Sequence, residues 1–97
     1  MNDEYLIQDV LAAIRVNDTD ESRTEVSGLI AAAIADLKRQ GVSTINLDDP
    51  LTVQAVKLYC KGHYGYDADS GKFLHCYEAL SAAMALDIMD YRSGTTT

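Results

Sequence analysis

The densest collection of ligating and nucleophilic side chains in this sequence lies between residues 60 and 78. The run Asp67-Ala68-Asp69-Ser70-Gly71-Lys72-Phe73-Leu74-His75-Cys76-Tyr77-Glu78 places carboxylates at positions 1, 3 and 12 of a calcium-binding loop, with apolar Leu74 at position 8. Calcium needs oxygen ligands at alternating loop positions and a glycine at the sixth, where the chain turns sharply. The sixth residue here is Lys72, and Gly71 at the fifth brings no side-chain oxygen. The helical pattern also resumes inside the run, so an ordinary capped turn is expected. Cys60, His63, His75 and Cys76 form a second set, because two thiolates and two imidazoles can hold zinc if the helices flanking the turn form a hairpin. Neighbours such as His75 and Cys76 project about 100° apart on a helix and do not converge on one ion. Buried thiols and partly buried imidazoles are the expectation, with no metal or cofactor.

Catalytic chemistry finds less support. The sequence has no Gly-rich phosphate loop, no nucleophile elbow and no HExxH pair. Cysteine and histidine are both present, but only Lys57, Lys61 and Lys72 offer positive charge that would lower a thiol pKa. The five tyrosines from Tyr59 to Tyr91 suit a core or an interface better than a base-stacking platform. No enzymatic activity is expected.

The elements that must carry these residues read as helices. Asp3 is a good N-cap for a first helix over 3–14, in which Leu6, Val10, Ala13 and Ile14 recur at helical spacing. Asn17-Asp18-Thr19-Asp20 interrupts the pattern, and Asp20 is the expected cap of a second helix over 21–40. Val26, Leu29, Ile30, Ala33, Ile34 and Leu37 mark its apolar face. Lys38 and Arg39 complement its negative end, and Gly41 terminates it as a left-handed residue. Gly28, Ala31, Ala32 and Ala35 give this helix a smooth side, suited to packing within the chain or between subunits.

Residues 42–48 read as a loop with a short extended piece at Thr44-Ile45, and Asp49-Pro50 then opens a third helix over 50–64. Val53, Val56, Tyr59, Cys60 and His63 fall on one side of it. A turn-rich stretch from Gly65 to Gly71 leads into a fourth helix over 71–90. Its stripe is Phe73, Tyr77, Leu80, Met84 and Ile88, widened by Leu74 and Ala83. Arg92 to Thr97 lacks apolar residues and reads as a mobile tail. The expected fold class is therefore all-α, one domain over 1–92 built as a bundle of about four helices, with a flexible tail at 93–97.

Composition narrows the classes further. Apolar residues make up 47% of the 97, enough for a modest core, while a single proline and no tryptophan favour closely packed helices. The longest small-and-apolar run, Gly28 to Ala35, is far short of the roughly 20 residues that span a bilayer. Asn2, Asp3 and Glu4 are the reverse of a basic signal-peptide start, and two cysteines suit a reducing cytosol. A formal charge of −7, spread along the chain, lacks the basic footprint that phosphate binding requires.

The segment Leu58-Tyr59-Cys60-Lys61-Gly62-His63-Tyr64-Gly65-Tyr66-Asp67, followed by Lys72-Phe73 and Tyr77-Glu78-Ala79-Leu80, resembles the head–tail connector proteins of tailed bacteriophages, often described as DNA-packaging proteins. In that family a lysine-bearing helix ends in an aromatic-Gly-aromatic-Asp turn, and a helix with Phe, Tyr and Leu at this spacing follows. The short first helix, the acidic loop from Arg15-Val16 to Asp20 and the Ala-rich second helix agree with the family's opening. The resemblance spans about residues 3–92 and is strongest over 49–80. His75-Cys76 departs from it, where two ordinary polar residues would be expected.

The resemblance implies a structural subunit that forms a ring of about a dozen copies beneath the portal, at the virion head–tail junction, after synthesis in the host cytoplasm. It implies the portal and the next head-completion or tail protein as partners, and a role in retaining packaged DNA without specific nucleic-acid binding. Candidate subunit-interface residues are Gly28, Ala31, Ala32, Ala35, Tyr64, Tyr66 and Tyr91. Candidate channel-facing acids, past which DNA would slide without sticking, are Asp36, Asp48, Asp49, Asp87 and Asp90. A small cytosolic adaptor or regulatory domain that binds a partner helix is the alternative reading.

Overall fold

A computed structural model describes residues 3–42, 45–64 and 69–94, with side chains over 4–42, 45–64 and 69–86. The chain is all-α: α1 (Asp3–Ile14), α2 (Asp20–Arg39), α3 (Pro50–Tyr64) and α4 (Ser70–Gly94). No strand occurs among the described residues, and no helix there is long and apolar enough to cross a membrane. Residues 1–2, 43–44, 65–68 and 95–97 lie outside the description, so Thr44 of the proposed extended piece and part of the calcium-type run fall there.

The helix ends follow local backbone chemistry. Thr19, not Asp20, is the N-cap of α2: its extended backbone lets Oγ1 accept the Ser22 N–H at 3.1 Å. Asp20 and Glu21 instead occupy the first turn, facing the positive helix end, and α2 starts one residue earlier than the spacing suggested. At its other end Gly41 N–H reaches the Lys38 carbonyl and Val42 N–H the Leu37 carbonyl, the two bonds of a Schellman motif. Gly41 has φ +104°, and buried Val42 and Leu37 supply the motif's apolar contact. The same pair of bonds closes α1, from Arg15 N–H to Ala12 and from Val16 N–H to Leu11. There the left-handed position is held by Arg15, at φ 60°.

α3 is the central helix, packing on α1, α2 and α4. Its buried face is correspondingly broad. Thr52, Ala55, Val56, Cys60 and Gly62 are buried, whereas Val53 and Tyr59 are partly covered and His63 is exposed. Small side chains are what allow three neighbours to reach one helix. At Gly62 a Cβ would overlap Cγ and Cδ2 of Leu74 and lie 3.2 Å from the Leu74 backbone nitrogen, so α4 approaches to backbone distance there. Leu6, Val10 and Leu11 of α1 and Val26, Ile30, Ala33 and Leu37 of α2 complete the core with Val42, Tyr77 and Met84.

Two expectations for α4 change. Ala83 is exposed, and Ser81 is buried in the stripe. The helix also runs past residue 90, to Gly94. Apolar side chains stop marking the helix before its backbone stops, because each added residue still contributes one backbone hydrogen bond.

Two substitutions test this packing. Gly62→Ala should lower unfolding stability by about 1–3 kcal/mol through overpacking against Leu74. Arg15→Gly should raise it by about 1 kcal/mol by relieving the left-handed backbone at the α1 terminus. Urea-unfolding midpoints at constant m-value measure both.

Candidate functional site

The chemistry-bearing residues are not gathered into one centre. Among the described residues no three His, Cys, Asp or Glu side chains come close enough to hold a metal ion. Cys60 is buried in the core, while His63, His75 and Cys76 are exposed. Burial pushes the Cys60 thiol up to about 12, so it is a packed apolar group and not a nucleophile. α4 begins at Ser70, which makes Ser70 to Glu78 helical and leaves no calcium-binding loop over that part of the run. Asp67 lies outside the described residues.

The best-organised polar arrangement joins the end of α2 to α4. Tyr77 donates its hydroxyl to Asp36 Oδ2 at 2.5 Å, and Gln40 Nε2 donates to the same oxygen at 2.8 Å. Arg39 donates to Asp36 Oδ1 from Nε at 3.1 Å and from Nη2 at 2.6 Å. Gln40 Oε1 accepts from the fully buried Ser81 hydroxyl at 2.9 Å, with the Glu78 carbonyl as a second acceptor at 3.1 Å. Asp36, Arg39 and Gln40 fall within one turn of α2, and Tyr77 and Ser81 one turn apart on α4, so helical geometry alone aligns the two sets.

Burial alone would raise the Asp36 carboxyl, but hydrogen bonds from Tyr77, Arg39 and Gln40 outweigh it and hold the group below its usual range. Tyr77 is displaced upward, by burial first and by its bond to Asp36 second. Tyr59 moves the same way, again chiefly through burial. Its ring lies edge-on to Tyr77 at 5.1 Å and 4.1 Å from the His63 ring. Beside them Lys61 Nζ sits 4.9 Å from the centre of the Phe73 ring. This arrangement is a fastening.

The proposed channel acids divide accordingly. Asp36 turns into the α2–α4 junction, with only 20% of its side chain exposed, and is not free to line a channel. Asp49 caps α3, its Oδ1 accepting the Leu51 N–H at 3.1 Å. Asp48 is exposed, and its backbone N–H donates to Asn46 Oδ1 at 2.9 Å. Asp87 and Asp90 lie on α4 with side chains outside the description.

Of the proposed interface residues, Gly28, Ala31, Ala32 and Ala35 all face outward. Packing within the chain is not their use, and a Cβ at Gly28 would meet nothing within 4 Å. Tyr64 is half-buried, Tyr91 is on α4 with its side chain undescribed, and Tyr66 lies outside the described residues. The sequence offered one overlooked signal, an isolated glycine at 62 inside a helical pattern, which usually marks close packing. Nothing local pointed to Ser81 or to the pairing of Asp36 with Tyr77, 41 residues apart.

Compared with known proteins, the chain matches no family model, no curated protein and no solved structure.

Tyr77→Phe should cost about 1.5 kcal/mol, the scale of a hydrogen bond to a charged acceptor. A depressed carboxyl stabilises the fold above its unfolded value of 3.8 and loses that contribution as pH falls through the lower folded value. The stability gap between wild type and Tyr77→Phe should therefore be full above pH 3.8 and narrow below it, measured by urea unfolding at a series of pH values.

Proposed function

We propose that the chain is a structural head–tail connector subunit of a tailed bacteriophage or prophage, which assembles as a ring below the portal and helps retain packaged DNA without a catalytic step. The observation that carries this reading is the α3–α4 hairpin. Residues on which the resemblance rests are each other's contacts: Lys61 over Phe73, and Tyr59 against Tyr77 and His63. A pattern spread over two segments thus corresponds to one packed unit.

A cyclic ring joins two unlike faces of neighbouring subunits. The outer side of α4, where Cys76, Glu78, Ala79, Ala82, Ala83 and Leu86 are exposed, and the small-residue side of α2 are the faces available for this. The portal and the following head-completion or tail protein are the partners in this reading, at the virion head–tail junction. In this reading Asp48, Asp87 and Asp90 would line the channel, whereas Asp36 joins α2 to α4 and Asp49 caps α3. A net charge of −7 leaves phosphates without counter-charge along such a wall.

Electron microscopy of the purified chain, alone and with portal assemblies of the same phage, tests the proposal. Closed rings of about a dozen copies are the expected outcome for a cyclic homo-oligomer of this kind. A chain that forms no ring in either condition would overturn it and favour the adaptor reading.

A further inference from the structure

The outward face of α2 has a charge polarity that its small centre makes usable. Thr24, Gly28, Ala31, Ala32 and Ala35 are exposed along its middle. At one end Asp20, Glu21, Thr24 and Glu25 line a shallow surface hollow, and at the other Lys38 and Arg39 are exposed. With about 100° between successive residues, Gly28 and Ala35 stand nearly opposite the buried line Val26, Ile30, Ala33 and Leu37. The strip is thus centred on the side of the helix that this chain leaves uncovered.

We propose that this face pairs with the same face of a second copy, the two α2 helices running antiparallel. Reversing one helix about a point between Ala31 and Ala32 sets Gly28 opposite Ala35 and brings the acidic hollow of each copy against Lys38 and Arg39 of the other. On a helical wheel Glu21 and Glu25 then share a flank with the second copy's Arg39, and Asp20 shares the other flank with its Lys38. A two-fold contact repeats each of these pairings. The parallel arrangement stacks like charge on like charge and is disfavoured. Arg39 bonds Asp36 in its own chain, yet 73% of its side chain is exposed, so it can serve both carboxylate sets.

One helix face is small for an interface. Stable complexes bury about 1,200–2,000 Å² in total, and a contact along a single helix falls below that range. The pair is therefore weak and salt-sensitive, a state of the unassembled chain. It covers the strip that a ring neighbour would use, so a paired subunit must separate before that contact forms. The pairing itself stands apart from the connector reading: absence of rings leaves it intact, and absence of pairs leaves the ring proposal untouched.

Sedimentation of the full chain up to about 1 mM, where a Kd of about 1 mM would pair roughly half of the chains, should show mass rising from 10.6 kDa toward twice that value. Two charge variants are then compared: Glu21→Lys with Glu25→Lys, and Lys38→Glu with Arg39→Gln. Each alone should weaken pairing at least about tenfold while keeping its helical circular dichroism. Mixing them in equal amounts should restore a pair, because each then supplies the charge that the other lacks. A wild-type chain monomeric at the highest concentration would overturn the proposal. So would pairing insensitive to both variants, or two folded variants that fail to pair when mixed.

Discussion

The contact of α3 with α4 at Gly62 is the constraint on which the rest of the structure depends. A hydrogen atom in place of a side chain lets the Leu74 backbone approach, and that approach sets the spacing of the hairpin. The spacing brings Tyr77 against Tyr59 and within reach of Asp36. It also leaves the remaining surface of α3 to α1 and α2, so one helix forms the floor of the whole core. Ala55, Thr52 and Gly62 are small for the same reason: a central helix with three neighbours has no room for bulk on every side.

The Asp36 junction complements that apolar contact. Nonpolar packing is tolerant of small slides, whereas a carboxylate that accepts bonds from Tyr77, Gln40 and Arg39 has one satisfactory position. Through Gln40 the same set reaches the buried Ser81 hydroxyl, which also bonds the Glu78 carbonyl of its own helix. The end of α2 is therefore fixed twice, by the Schellman bonds at Gly41 and by the side chains one turn before it. The polar chemistry of the junction is spent on position. Exposed residues remain along α2 and α4, among them Gly28, Ala31, Ala35, Cys76, Ala79 and Ala83.

Helix count, order and approximate extent were legible because they rest on local signals. Periodic apolar residues, Asp49-Pro50 at the start of α3 and Gly41 after α2 each act within a few residues. Boundaries slipped where two local signals competed. Thr19 and Asp20 are both good N-caps, and only the hydrogen bond to Ser22 N–H shows which one is used. The end of α4 slipped because Arg92, Ser93 and Gly94 are not apolar and so do not continue the sequence pattern, although the helix runs to Gly94. Arg15 in a left-handed conformation gave no sign at all, since the residue type that usually marks such a position is glycine.

The small-residue side of α2 shows the division most clearly. From the sequence, Gly28, Ala31, Ala32 and Ala35 suit close packing against any helix, inside the chain or outside it, because smoothness carries no address. Tertiary structure places all four on the outside by assigning the neighbouring face of α2 to the core. Asp36 moved the other way, from a candidate surface acid to the acceptor at an internal junction, once α4 carried Tyr77 to it. The sequence by itself determined an acidic, all-helical chain with four amphipathic segments, through periodicity, caps and composition that each residue's near neighbours decide. Only the tertiary structure decided which faces are spent on the core and which are left over, because that depends on pairings between residues tens of positions apart.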